Sequence, residues 1–297
     1  MLLMVLFVVG LTTACLSKID TRSAELVYAV KEFVGKGSTA YVYKGASLQN
    51  ELTVAIKIIP TQGLEPWAIN QICVELEINE RLRTLDIPVA RLIGAHWNSR
   101  KDAIWMIMEW MDGVNLGMKV SEHVRKRKGE DCRPTLEPNA VRSLAKSLFS
   151  TLSVLHSLGI THEDIDTSNL MQQGRDSVVL LDFGDGKMDS AGEFGMDILM
   201  AGFALMELSV SPCLENNVEV IALGRVSKKF GFPIRLRHDW ARRKSIADVL
   251  EMVASGSFFQ IESSLRTFLR FLVTVVERGT RANEAHILAH PYLSESL

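Results

Sequence analysis

The sequence predicts an α+β fold in two parts: a small antiparallel sheet with one main helix, followed by a mostly helical region. Two observations carry this prediction. From Tyr28 to Trp110, short runs rich in β-branched and apolar residues are bounded by Gly, Asn or Pro, and from about Asn115 onward apolar residues recur at helical spacing. A chain of 297 residues, 47% hydrophobic and 23% charged, is also long enough for one large domain or two lobes with separate cores.

The strand runs are 29–34, 40–44, 52–59, 91–97 and 103–109. Between the third and fourth, the spacing predicts a helix over 66–85. Ile69, Ile72, Cys73 and Leu76 share one face and Val74, Ile78, Leu82 and Leu85 another, so this helix is expected to be covered on two sides. The longest helix starts after Glu137 with Pro138 in its first turn, carries Val141, Leu144, Leu148, Leu152 and Leu155 at helical spacing, and stops at Gly159. A polar turn follows, then two short apolar strands around Leu170 and over 178–181. A helix over 196–208 and terminal helices near 262–276 and 283–289 complete the chain, which reaches His290-Pro291 near its end.

The net charge of -2, from 33 basic and 35 acidic residues, leaves no electrostatic footprint for nucleic acid or an anionic membrane. The basic run 125–128 is followed at once by Glu130 and Asp131 and reads as a solvated loop. Cys15, Cys73, Cys132 and Cys213 show no CxxC spacing and no accompanying His cluster, so they read as isolated thiols, with Cys73 a small buried hydrophobe on its helix. Residues 1–17 stand apart. Met1 to Leu16 carries no charge, and Lys18, Asp20 and Arg22 follow directly. This apolar stretch is short of the roughly 20 residues of a membrane-spanning helix and suits a signal-peptide core, with Thr12 and Ala14 as the small residues of a cleavage site. No Lys or Arg precedes it, so an uncleaved anchor and a misplaced start codon stay open. A signal peptide implies the secretory pathway, its absence a cytoplasmic protein; membrane contact is expected only if 1–17 stays as an anchor.

Four strings carry chemistry. Gly35-Lys36-Gly37-Ser38-Thr39-Ala40-Tyr41-Val42 lies between two strand runs, where glycines let the backbone bend and bring N–H groups against phosphate oxygens. Taken alone, the string reads first as a hairpin with a Gly-rich turn; the strand that follows argues against a dinucleotide site of the strand–turn–helix kind. Val54-Ala55-Ile56-Lys57 places an ammonium late in an apolar strand. A carboxylate on the next helix would orient it, and Glu75 is preferred to Glu77 because Ile78 and Leu82 continue its stripe while Glu80 and Thr84 continue that of Glu77. His162-Glu163-Asp164-Ile165-Asp166-Thr167-Ser168-Asn169 sets an Asp and an Asn in one loop, and Val179-Leu180-Leu181-Asp182-Phe183-Gly184 runs an apolar strand into an aspartate and a turn.

In this order and at these separations the strings resemble the Gly-rich loop, strand lysine, catalytic loop and metal-binding turn of the protein kinase family, serine/threonine type. The likeness extends over 28–293. Met108 to Gly113 resembles the hinge, Asp197 with Gly202 the central helix of the larger lobe, and Arg281 with His290-Pro291 the terminal helices. The resemblance implies a two-lobed protein-kinase-like fold: an N-lobe over 28–109, a hinge over 109–113 and a C-lobe over 114–293. It also implies ATP and Mg2+ as cofactors. Asp164 would orient the acceptor hydroxyl, Asn169 and Asp182 would hold magnesium, and Lys57 paired with Glu75 would grip the α and β phosphates. Gly35, Lys36, Gly37 and Ser38 would cover the phosphates. Adenine would lie between Val42 and Ala55 on one side and Met171 on the other, with backbone contacts from Glu109 and Met111 and Met108 as gatekeeper.

The chain departs from the family pattern in its loops. Asp166 stands where the family usually carries lysine, and Ser168 where an alternative arginine falls, so a carboxylate near the γ-phosphate is expected to slow transfer. Glu163 replaces the arginine before the catalytic aspartate and cannot pair with a phosphorylated segment. The stretch from Asp182 to Asp197 is short and lacks Ala-Pro-Glu, leaving Glu193 as the one substitute partner for Arg281. The leading expectation is a serine/threonine protein kinase acting on a protein hydroxyl. The alternatives are a pseudokinase that binds nucleotide or a regulatory protein partner, and a small-molecule kinase.

Overall fold

The computed structural model describes residues 15–37, 39–126, 134–190, 194–209, 250, 262–277 and 284–294. The chain divides into two compact units: Met1–Asp112 together with Asp182–Gly186, and Gly113–Leu181 together with Lys187–Leu297.

The first unit is built on an antiparallel sheet of five strands, β1 (Tyr28–Lys36), β2 (Tyr41–Ser47), β3 (Thr53–Pro60), β4 (Leu92–Trp97) and β5 (Ala103–Glu109), in the order β1-β2-β3-β5-β4. Side chains alternate between the faces of a strand, so β5 feeds two cores. Ala103, Trp105 and Ile107 pack with Val54, Ile56, Ala24, Val27 and Tyr28. Ile104 and Met106 pack with Ile59, Ile19, Ile72 and Leu76. The last two belong to helix α1 (Pro66–Leu82), which covers that second face. The same alternation places Lys57 on the face of Ile59, towards α1.

Helix α1 begins at Pro66, whose missing N–H costs nothing in a first turn, and buries Ala68, Ile72, Cys73, Glu75, Leu76, Ile78, Asn79 and Leu82. It stops at Leu82, short of the expected 85. A turn follows, in which Leu85 N–H reaches the Leu82 carbonyl, and Pro88 then disfavours helical backbone at Ile87.

The cysteine reading is overturned. Cys15 and Cys73, 58 residues apart, form a disulfide with Cα atoms 5.6 Å apart. No local spacing could show it, because the pairing depends on the segment before β1 lying along α1. Ile19 is buried against Ile72 and Leu76, Lys18 Nζ pairs with Glu77 at 2.7 Å, and Asp20 N–H donates to the Ala95 carbonyl of β4 at 2.9 Å. Cys132 and Cys213 lie outside the described residues.

The second unit holds a three-stranded antiparallel sheet, β6 (Val114–Asn115), β7 (Leu170–Gln173) and β8 (Ser177–Leu180), in that order. Its described helices are α2 (Leu116–Lys126), α3 (Pro138–Ser157), α4 (Gly195–Ser209), α5 (Ser263–Glu277), α6 (Glu284–Leu288) and α7 (Pro291–Ser294). Arg125 and Lys126, expected in a solvated loop, belong instead to the end of α2; the rest of that run lies outside the described residues. Helix α3 buries Val141, Leu144, Leu148, Leu152 and Leu155 as their spacing predicted, and Gly159 at φ 72 turns the chain just past its end. Phe268 of α5 meets Phe149 of α3 edge-on at 5.5 Å and Tyr292 at 5.0 Å. The expected partners Arg281 and Glu193 lie outside the described residues. Among the described residues no helix is long and apolar enough to cross a membrane.

Cross-linking points 58 residues apart restricts the unfolded chain. Cys73→Ser is expected to lower unfolding free energy by about 2–4 kcal/mol in urea titrations under non-reducing conditions, and dithiothreitol should remove the difference from wild type.

Candidate functional site

Three of the sequence-predicted residues meet in the first unit. Lys57 Nζ lies 2.6 Å from Glu75 Oε1 and 2.7 Å from Asp182 Oδ1. Strand β3 and helix α1 supply the lysine and glutamate from facing surfaces, which settles the choice between carboxylates: Glu75 is buried at 3% exposure, whereas Glu77 is turned outward to Lys18. Asp182 arrives with the 182–186 segment. Gln71 of α1 fastens that segment by donating to the carbonyls of Gly184 at 2.8 Å and Gly186 at 3.3 Å.

One ammonium is shared between two carboxylates, and the electrostatics follow from that ratio. Burial alone would lower the Lys57 pKa, but Asp182 and Glu75 outweigh it and hold the ammonium above its ordinary 10.5. Burial also pushes the Glu75 carboxyl up, and Lys57, divided with Asp182, does not fully offset it. Gly184 makes room for the group. A Cβ there would stand 3.0 Å from Asp182 Oδ1 and 3.4 Å from Lys57 Nζ.

The other first-unit candidates fall along the same sheet. Gly35 and Lys36 end β1, and Gly37 N–H closes the turn onto the Ala40 carbonyl at 2.8 Å. Ser38 lies outside the described residues. Val42 of β2 is paired with Lys57, and Ala55 with Met108. Glu109 donates its N–H to the Arg91 carbonyl at 2.9 Å, so of its two backbone groups the carbonyl is the one suited to a ligand; Met111 follows just beyond β5.

In the second unit, Asp164 and Asn169 come together. The Asn169 side-chain amide donates to the Asp164 carbonyl at 2.8 Å and to its Oδ2 at 2.9 Å. Asn169 then leads into β7, where Met171 pairs with Asn115 and Val179. His162 spans the loop: its Nε2 donates to the Leu181 carbonyl at 2.8 Å and its Nδ1 accepts Asp164 N–H at 3.3 Å.

The loop hangs from a residue that the sequence marked only as part of a helix. Asp197 of α4, fully buried, accepts His162 N–H at 2.9 Å, Glu163 N–H at 2.8 Å and His156 Nε2 at 2.9 Å. Burial would raise its carboxyl, yet the His156 hydrogen bond and nearby imidazoles hold it below its ordinary 3.8. Glu163, at φ 64, and Asp182, at φ 59, occupy the left-handed region, a conformation that persists only where surrounding contacts impose it.

Both acidic replacements find internal partners. Glu163 Oε1 lies 3.4 Å from Lys187 Nζ, and Lys187 exchanges two backbone hydrogen bonds with Thr161, each 3.0 Å. Asp166 Oδ1 accepts the N–H of Ser168 at 2.7 Å and of Asn169 at 3.1 Å. Neither pairing was legible from residue type. The signal available was Asp followed by Thr-Ser-Asn, a turn-capping pattern.

Removing the shared cation gives a pH-resolved test. A carboxyl raised by burial favours the folded state at low pH, and that advantage is lost as pH rises from its ordinary value through its raised one. In Lys57→Met, Glu75 should rise further. The stability deficit relative to wild type is therefore expected to be small near pH 4.5 and to reach about 3 kcal/mol near pH 8 in urea titrations.

The chain is similar to known proteins over much of its length. The chain is 30% identical over 295 residues to mitogen-activated protein kinase kinase 7 of Arabidopsis thaliana, covering 89% of this chain and 84% of the relative. It is 33% identical over 158 residues to CBL-interacting serine/threonine-protein kinase 14 of the same plant, covering 53% of this chain and 32% of the relative. It is 24% identical over 186 residues to the EKC/KEOPS complex subunit BUD32 of Chaetomium globosum, covering 60% and 68%. The family pattern described as protein kinase domain matches residues 28–293, and with the antiparallel sheet, the helical second unit and the Lys57–Glu75 pair it establishes that the chain belongs to the protein kinase domain family.

Proposed function

We propose that the chain is an ATP-dependent phosphotransferase, a serine/threonine protein kinase that transfers the γ-phosphate of Mg-ATP to a protein hydroxyl. The observation that carries this reading is the Lys57–Glu75 pair at 2.6 Å, the arrangement needed to present an ammonium to phosphate oxygens. Asp164 orients the acceptor hydroxyl and takes its proton as the oxygen bonds to phosphorus and the bond to the departing diphosphate breaks. Lys57 steadies the α and β phosphates, and Glu75 holds Lys57. Gly35, Lys36, Gly37 and Ser38 cover the phosphates. Val42, Ala55, Met108 and Met171 contribute the apolar surfaces for adenine, and the Glu109 and Met111 backbone its polar contacts.

Each proposed magnesium ligand, taken singly, is of a type the ion accepts. Asp182 offers a carboxylate and Asn169, whose amide nitrogen is engaged by Asp164, offers its side-chain oxygen; both are hard oxygen donors of the kind this ion takes. Magnesium supplies neutralisation of phosphate charge when bound.

One observation favours a second reading, a nucleotide- or partner-binding pseudokinase: the loop from His162 to Asn169 contains no Lys or Arg. The names of two relatives, one CBL-interacting and one a complex subunit, suit a chain that works with a protein partner.

Thermal shift with Mg-ATP and phosphate transfer to a generic basic protein, measured in parallel, separate the readings. Stabilisation with transfer supports the kinase, and stabilisation without transfer supports the pseudokinase. Asp164→Asn is expected to lower kcat by about 10²–10⁴-fold while the thermal shift persists.

A further inference from the structure

We propose that Asp166 is a positioning residue that assembles the 162–169 loop, holding Asn169 and through it Asp164, and that it does so as a hydrogen-bond acceptor. This rests on the phosphotransferase reading for its effect on turnover. The sequence alone made Asp166 a charge expected to oppose the γ-phosphate. In the structure its Oδ1 accepts three hydrogen bonds: Ser168 N–H at 2.7 Å, Ser168 Oγ–H at 2.5 Å and Asn169 N–H at 3.1 Å. Those contacts close the single 3₁₀ turn Thr167–Asn169, in which Asn169 N–H is shared between the Asp166 side chain and the Asp166 carbonyl, also at 3.1 Å.

The turn sets where Asn169 points. Asn169 donates to both the carbonyl and the carboxylate of Asp164, and its own carbonyl accepts Leu181 N–H at 2.9 Å. The opposite side of the turn is braced independently. Asn115 Nδ2 donates to the Ser168 carbonyl at 2.6 Å, Thr167 Oγ1 donates to Glu207 at 2.8 Å, and α2 approaches so closely that a Cβ on Gly117 would lie 2.9 Å from Ser168 Cα. Helix α2 and α4 thus hold the outside of the turn while Asp166 ties its inside. A lysine at 166 has no acceptor and could not make these bonds.

Four variants of the full chain separate acceptor from charge. Asp166→Asn keeps a side-chain oxygen without charge, Asp166→Ser keeps a shorter acceptor, Asp166→Ala removes it, and Asp166→Lys restores the family's cation without an acceptor. The readouts are hydrogen exchange at the Ser168 and Asn169 amides, and kcat and KM for phosphate transfer. Amide exchange in the Ala and Lys variants is expected to exceed that in the Asn variant about tenfold, with kcat lower by a similar factor and KM for ATP little moved. The Ser variant should fall between. A Lys variant that transfers faster than wild type, or an Ala variant whose amides exchange like those of Asn, would overturn the proposal. Should Ala not fold, the Asn and Lys pair carries the same contrast. If wild type transfers no phosphate, the phosphotransferase reading fails, while acceptor-dependent amide protection still supports the positioning role and its absence still refutes it.

Discussion

The first unit is organised around one ammonium group held between two carboxylates. Lys57 is at 8% exposure, where a solitary cation would be costly, so Glu75 and Asp182 must both reach it. That requirement sets the side of the sheet on which β3 turns its odd-numbered residues, the rotation of α1, and the path of the 182–186 segment under Gln71. Burial raises the Glu75 carboxyl, and the Lys57 ammonium, shared with Asp182, only partly offsets it.

The second unit uses a complementary device. Asp197 anchors the start of its loop through backbone N–H groups, and Asp166 closes the end of the same loop through two more. A buried carboxylate that receives several N–H bonds is satisfied locally. The two acidic residues that depart from the family pattern have partners close by: Glu163 lies near Lys187, and the half-buried Asp166 accepts hydrogen bonds from Ser168 and Asn169.

Much of the fold was legible in the sequence because its signals are local. Alternating Val54, Ile56 and Ile58 mark a strand, and Leu144, Leu148, Leu152 and Leu155 mark a helix, whatever surrounds them. The preference for Glu75 over Glu77 was also legible, since Ile78 and Leu82 continue its buried stripe. Cys15–Cys73 was not, for it depends on a segment folding back along α1. The end of α1 was missed for a related reason: Leu85 satisfies the helical spacing, but the turn before Pro88 prevails over it.

By itself the sequence determined the order of elements and the family, because periodicity, turn chemistry and motif spacing are written along the chain. Only the tertiary structure decided how the charges are paired: Lys57 shared between Glu75 and Asp182, Glu163 near Lys187, Asp166 turned onto Ser168 and Asn169. A charge read from sequence has a sign but no neighbours, and its effect on the site is set by the groups that folding brings within about 4 Å of it.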